Sequence, residues 1–137
     1  MNTKILMTTT SLVLGLAGIV ALFAPESVLV MLGATITKPL SVLVQVIGTL
    51  YFSIALMNWT AKDSIIGGIY ARPVSLANFA HFFSGTLVLA KYFFSNSLNV
   101  PILLMLIVYV ILALFFYWLV FRHTGIVVAN NNQSGSE

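Results

Sequence analysis

The sequence predicts an all-α integral membrane protein, an antiparallel bundle of four membrane-spanning helices. The 137 residues are 60% hydrophobic and 7% charged, with a mean hydropathy of +1.06, whereas soluble domains carry about 25% charged residues. Four mainly apolar windows each have about the 20 residues that cross a bilayer core. All four prolines fall between these windows or at the start of one, where proline does not interrupt a helix.

The spans are expected at about residues 5–24, 40–59, 74–94 and 101–121 of a single membrane domain, residues 1–123. The first window could instead be a signal peptide. Its apolar stretch is long for that role, however, and Ala21-Leu22-Phe23-Ala24 lacks the alternating small residues of a cleavage site. Asn99, two residues before Pro101, is placed to cap the fourth helix.

Three further segments join or follow the spans. Residues 26–33 begin with Glu26 and continue with apolar residues at near-helical spacing, which predicts a short helix in the membrane interface. An apolar loop packed on the bundle is the alternative. Gly67-Gly68 permits a tight turn in the middle loop. Residues 124–137 are polar and of low complexity, and we expect them to be disordered.

Lysine and arginine in the short loops predict the orientation of the bundle. Four basic residues fall on one side of the membrane and two on the other: Lys4, Lys62, Arg72 and Arg122 against Lys38 and Lys91. This distribution favours both termini in the cytoplasm. Trp59 and Tyr117-Trp118 then end their spans at headgroup depth.

The ionisable residues exclude several classes of function. Asp63 and Glu26 lie in loops and Glu137 is terminal, so paired carboxylates, a catalytic triad and an acidic proton relay are not expected. The absence of cysteine excludes disulfides and Cys-based metal sites. Nucleic-acid binding would need clustered basic residues. We therefore expect no metal, no cofactor and no nucleic-acid partner, and we favour a protein that is not an enzyme.

A polar set on the second and third spans is the candidate ligand site. It consists of Tyr51, Asn58, Asn78 and His81, with Arg72 at the nearby cytoplasmic end. Asn78 and His81 are expected about one to two turns below the middle loop. An ionisable residue inside a span is by default a functional-site hypothesis, and His81 is the one group there that could titrate near neutral pH.

Two alternatives stand beside this ligand site. Asn, Gln, Ser and His also hold membrane helices together through side-chain hydrogen bonds, which requires no ligand. Ligation of a haem by His81 and His123 is disfavoured, because the two histidines differ in depth by about two turns.

A second group of small and polar residues is predicted to pack the helices against one another. It comprises Ser11, Gly15 and Gly18 in the first span, Gln45, Thr49 and Ser53 in the second, and Gly85 in the third. Small residues let helix backbones approach closely. Self-association is the alternative use of the small residues in the first span.

The segment GLAGIVALFAPESVLVMLG, which leads from the first span into the apolar stretch after it, is followed by three further spans. In this arrangement the chain resembles the DoxX-like group of small four-helix bacterial membrane proteins. The resemblance implies a fold, a topology and a place in the bacterial inner membrane, and no functional residue is carried over from it.

Three classes of function stay open at this point. The favoured one is a non-enzymatic bundle in the lipid bilayer that acts through protein contacts, as an accessory subunit or a self-associating scaffold. Its partners would be further copies in a homo-oligomer or the members of a larger membrane complex. The second is a binding protein or carrier for a lipid-like or neutral small molecule near His81. The third is a subunit of a membrane redox enzyme.

Overall fold

A computed structural model describes residues 3–63, 71–95 and 99–122. These residues form the helices α1 (Thr3–Phe23), α2 (Pro25–Met31), α3 (Lys38–Ala61), α4 (Ala71–Ser95) and α5 (Val100–Arg122), with no strand among them. All but α2 are long and apolar enough to cross a membrane. The prediction of an all-α chain with four candidate spans is therefore confirmed. The Gly67-Gly68 turn and the tail after Arg122 lie outside the described residues.

The helix starts follow the proline and capping signals. Pro39 occupies the first turn of α3, and the Thr37 hydroxyl accepts a hydrogen bond from the Leu40 N–H (3.4 Å). The Asn99 side-chain oxygen accepts from the Ile102 N–H (3.4 Å), which confirms Asn99 as the cap of α5. These two polar caps therefore fix where α3 and α5 begin.

The short helix α2 covers Pro25–Met31, with Leu29 buried. It is closed by Gly33, whose positive φ of 72° suits the end of a helix. The Gly33 N–H donates to the Val30 carbonyl (3.0 Å), and the Ala34 N–H donates to the Leu29 carbonyl (2.9 Å). This segment is therefore helical and packed by one face, while its placement in a membrane interface stays a prediction.

Helices α1 and α3 approach so closely that their backbones touch. A Cβ added at Gly18 would lie 2.8 Å from the Gly48 carbonyl oxygen, and one added at Gly48 would lie 2.9 Å from the Gly18 oxygen. Gly15 has more room, since a Cβ there would lie 3.5 Å from the Ala55 Cβ. Gly15 and Gly18 of α1 therefore face α3 of the same chain.

Polar contacts set the direction of α3 against α1. Near the end of α1, the Leu22 carbonyl accepts a hydrogen bond from Gln45 Nε2 (3.2 Å), in the first third of α3. Near the middle of α1, Ser11 Oγ donates to the Ala55 carbonyl (2.7 Å), late in α3. Later residues of one helix thus meet earlier residues of the other, so the two helices run in opposite directions.

Helices α4 and α5 form a second pair, held by aromatic side chains. Phe82 and Phe116 are both fully buried, and their rings stack with centroids 5.9 Å apart. One turn earlier in α4, the Phe79 ring contacts Tyr117 with centroids 5.9 Å apart. Leu14 of α1 belongs to the same buried core as Phe82 and Phe116. The two helix pairs therefore share one hydrophobic core.

The outer surface of the long helices is apolar. Leu16, Leu43, Val88 and Leu114, one from each long helix, are more than half exposed. Water disfavours so extensive an apolar surface, whereas lipid accepts it, because a helix pairs its backbone groups internally except at its two ends. The surface is thus the one expected of helices that face lipid.

Candidate functional site

Asn58 of α3 and Asn78 of α4 form a closed pair between the two helices. Each side-chain nitrogen donates to the other's oxygen, at 2.9 Å from Asn58 and 2.8 Å from Asn78. Each nitrogen also donates to a carbonyl one turn earlier in its own helix: Asn58 to Ile54 (3.0 Å) and Asn78 to Val74 (2.8 Å). Both side chains are fully buried. This asparagine pair therefore uses all four of its amide donor hydrogens inside the protein.

A second polar group, the tyrosine–histidine cluster, joins three helices. It consists of Tyr51 of α3, His81 of α4 and Tyr109 of α5. The two tyrosine hydroxyl oxygens lie 2.5 Å apart, and the Tyr109 oxygen lies 3.2 Å from His81 Nε2. The rings of Tyr51 and His81 meet edge to face, with centroids 5.6 Å apart. The other ring nitrogen of His81, Nδ1, has no hydrogen-bond partner among the residues that the structure describes.

The cluster lies near the middle of the helices. His81 follows the first residue of α4, Ala71, by ten positions, which places it about 15 Å along the helix axis. This is deeper than the one to two turns expected from the sequence, because α4 begins before the apolar window does. Tyr51 follows the start of α3 by 13 residues and Tyr109 follows that of α5 by nine. All three side chains therefore lie far from the helix ends.

Gly85 makes room for one member of the cluster. A Cβ at this position would clash with Tyr109 Cε1 and would lie 2.6 Å from Tyr109 Cδ1. The tyrosine ring thus lies directly against the α4 backbone, one turn after His81, and its hydroxyl reaches the imidazole. Gly85, expected to pack helices, contributes to the site by admitting this ring.

A cleft of about 290 Å³ borders the cluster and opens to the outside of the helices. Its walls include all three cluster residues, and the remaining walls are Ser84, Gly85, Val88, Leu89 and Met105. No Asp, Glu, Lys or Arg is among these lining residues. A few polar groups among apolar walls are the usual composition of a small-molecule site. We call this space the polar cleft.

The sequence-predicted site residues therefore separate into distinct places. Tyr51 and His81 meet in the cluster, while Asn58 and Asn78 pair with each other and do not line the polar cleft. Arg72 is exposed in the first turn of α4 and does not line the cleft either. His123, considered as a haem ligand together with His81, lies outside the described residues.

Of the three α3 residues predicted to pack the helices, Gln45, Thr49 and Ser53, only Gln45 has a hydrogen bond to another helix among the described residues. Gln45 reaches α1, but Thr49 and Ser53 are exposed, and their hydroxyls donate to carbonyls of their own helix at 2.7 Å and 2.8 Å. A hydroxyl that is satisfied by the preceding turn can face lipid without a partner on another helix. Thr49 and Ser53 therefore do not pack α3 against a neighbouring helix through hydrogen bonds.

Tyr109 is the site residue that sequence reasoning missed. It lies in α5, a helix rich in large apolar and aromatic residues, where a tyrosine resembles ordinary core. A usable signal is its distance from both ends of the span, because tyrosine in a membrane helix is enriched at the interfaces. A tyrosine near mid-span needs a hydrogen-bond partner there.

Charged side chains are concentrated at the end of the bundle where α1 begins and α3 ends. Lys4 Nζ lies 2.7 Å from Asp63 Oδ1, with both side chains 61% exposed. The hydrogen bond from Lys4 lowers the pKa of the Asp63 carboxyl from its ordinary value. Lys62 Nζ lies 3.1 Å from the centroid of the Trp59 ring. This end therefore has the basic and aromatic side chains expected at headgroup depth.

No family model, curated protein or solved structure matches this chain.

Proposed function

We propose that the chain is an integral membrane protein, an antiparallel four-helix bundle, that binds a neutral lipid-like molecule in the polar cleft. The observation that carries this proposal is the convergence of Tyr51, His81 and Tyr109 from three helices on a cavity that opens to the outside. The asparagine pair provides the contrast, since it is sealed and its donor hydrogens are all used within the protein. Hydrogen bonds that only held helices together would not require a cavity beside them.

The hydrogen-bond chain of the cluster favours a ligand that carries a hydroxyl group. If Tyr51 donates to Tyr109 and Tyr109 donates to His81, a neutral imidazole is left with an N–H donor and Tyr51 with an acceptor oxygen. If the chain runs the other way, Tyr51 is left with the donor and the imidazole with the acceptor. Either direction leaves one donor and one acceptor at the two ends, and a hydroxyl group is complementary to both.

The surroundings favour a neutral ligand that arrives through the bilayer. A charged head would need a counter-charge at this depth, because burying an unpaired charge is costly, and the lining residues of the cleft carry no carboxylate or basic side chain other than His81. Val88, at the edge of the cleft, is 69% exposed on the outer surface of α4. A molecule with one polar head and a hydrocarbon chain could enter there directly from lipid.

Hexadecanol binding measured by native mass spectrometry on the detergent-purified protein tests this function. We expect saturable adducts of hexadecanol with the wild type, and much weaker adducts of hexadecyl methyl ether, because the ether lacks a donor. Tyr109→Phe should lose most hexadecanol binding, since it removes the hydroxyl that links Tyr51 to His81. The same purified samples also reveal any lipid or protein partner that comes with the chain.

Tyr117→Phe is the matched control, because Tyr117 lies on the same helix, is half exposed and lines neither described cavity. It should bind hexadecanol like the wild type. Equal binding by Tyr109→Phe and the wild type, or equal binding of the alcohol and the ether, would overturn the proposal.

We further propose that both termini lie in the cytoplasm, as the distribution of basic residues favours, and that the membrane is a bacterial inner membrane, as the resemblance to the DoxX-like group implies. A reporter active only in the cytoplasm, fused after Glu137, should be active. A dark reporter in a fusion shown to be inserted would reverse the orientation. Membership of the DoxX-like group, and a role through protein contacts as a homo-oligomer or in a larger complex, stay proposals from the sequence.

A further inference from the structure

A second cavity, of about 260 Å³, also borders Tyr51 and Tyr109 of the cluster. We call it the apolar cavity. The walls that belong to it alone are Val13, Leu14, Ala17, Phe82, Leu104 and Val108. None of these six side chains carries a polar group, so this part of the cavity offers no partner for water or for a polar head.

The two cavities share three wall residues, Tyr51, Met105 and Tyr109. The tyrosines are held by the hydrogen bond between their hydroxyls. Met105 is held by van der Waals contacts alone, and methionine is the most adaptable of the large apolar side chains. Met105 is therefore the wall residue that can move aside to connect the polar cleft with the apolar cavity.

We propose that one ligand molecule occupies both cavities, with its hydroxyl at the tyrosine–histidine cluster and its hydrocarbon chain past Met105 in the apolar cavity. This inference rests on the proposed function and extends it to a ligand class, neutral single-chain lipids with a hydroxyl head. The wall that the two cavities share, with the adaptable Met105 in it, argues for the chain of the bound molecule as the occupant.

Affinity alone is a weak test of where the chain lies. Lipid tails are as apolar as the cavity walls, so moving a chain from the bilayer into the cavity gains packing contacts but little hydrophobic free energy. The position of the chain is the informative quantity, and a photoreactive group placed at a chosen carbon reports it directly.

Two photoreactive hexadecanols test the inference in phosphatidylcholine vesicles that contain the full chain. One carries a diazirine beside the hydroxyl and should label the polar cleft, at Ser84, Val88 or Leu89. The other carries a diazirine at the terminal carbon and should label the buried walls of the apolar cavity, at Leu14 or Phe82. Both signals should be reduced by excess unlabelled hexadecanol.

Ala17→Phe should fill the apolar cavity from α1 and abolish terminal-carbon labelling of Leu14 and Phe82, with the labelling beside the hydroxyl unchanged. Ala77→Phe is the matched control on the exposed face of α4, lining neither cavity, and should leave both signals unchanged. Competed labelling beside the hydroxyl, with terminal-carbon labels only on lipid-facing residues, would overturn the inference and leave the proposed function intact. Loss of competed labelling by both probes would overturn the proposed function itself.

Discussion

The asparagine pair predicts a large and specific response to the replacement of either member. Asn58→Leu removes both interhelical hydrogen bonds, of 2.9 Å and 2.8 Å. Asn78 then keeps its bond to Val74 but has an unpaired oxygen and an unpaired donor hydrogen in a fully buried place. An unsatisfied buried group costs about 1–3 kcal/mol, so the free energy of unfolding should fall by about that amount.

Replacing both asparagines should cost less than the two single replacements together, because neither leaves a polar partner behind. Interhelical hydrogen bonds in membranes average about 0.6 kcal/mol and reach about 1.7 kcal/mol each. Two such bonds give an expected coupling energy between Asn58 and Asn78 of about 1–3 kcal/mol.

Reversible unfolding in mixed micelles, driven by sodium dodecyl sulfate and followed by circular dichroism, measures the four free energies of this cycle. Ser53→Ala is the control, since Ser53 is exposed and bonded only to its own helix. Its effect should stay within about 0.5 kcal/mol. Additive effects of Asn58→Leu and Asn78→Leu, with no coupling energy, would refute the assignment of this pair as a link between α3 and α4.

Three further predictions concern packing, burial and charge. Gly48→Ala should destabilise the fold by about 1–3 kcal/mol in the same unfolding assay, because its Cβ would lie 2.8–2.9 Å from backbone atoms of α1. Gly15→Ala should be neutral or stabilising, because its Cβ would lie 3.5 Å from the Ala55 Cβ. Similar costs for both variants would contradict the close approach of α1 and α3. Thr10→Val should be neutral or stabilising, because the Thr10 hydroxyl is fully buried and has no hydrogen-bond partner among the described residues; a clear loss of stability would show that the hydroxyl has a partner. Lys4→Met should raise the pKa of Asp63 toward its ordinary value, as measured by carboxyl carbon NMR, because Lys4 lowers it in the folded protein. Because the folded-state pKa is lowered, the stabilising contribution of this exposed ion pair is present above the ordinary pKa of the carboxyl and is lost as the pH falls through the folded-state value; an unchanged pKa in the variant would argue against the pair.

The candidate spans and the helix starts could be predicted from the sequence because they depend on local properties. Hydropathy alone separates four spans, and proline is restricted to helix starts by its missing N–H, as at Pro39 of α3. The cap at Asn99 follows from the same local rules. These features need no knowledge of which helix packs against which.

The site depended on contacts between helices, which the sequence does not specify. The periodicity of α4 places Asn78 and His81 on one face, but it cannot show that Asn78 pairs with Asn58 while His81 meets two tyrosines. The role of Tyr109 could not be predicted either, because it depends on the absence of a Cβ at Gly85, which lies on another helix. Polarity alone was also misleading at Thr49, whose hydroxyl bonds within its own helix.

The most direct test of the polar cleft as a hydroxyl-binding site is the nitrogen NMR spectrum of the histidine rings during a hexadecanol titration. The chain has two histidines, His81 and His123, so selectively labelled protein in lipid nanodiscs gives two sets of ring signals. The ring nitrogens of His81 should shift and saturate as the alcohol binds, while those of His123, which follows the last helix in sequence, should stay unchanged. His81 signals that remain fixed at saturating hexadecanol would contradict the proposal that this cleft binds a hydroxyl head.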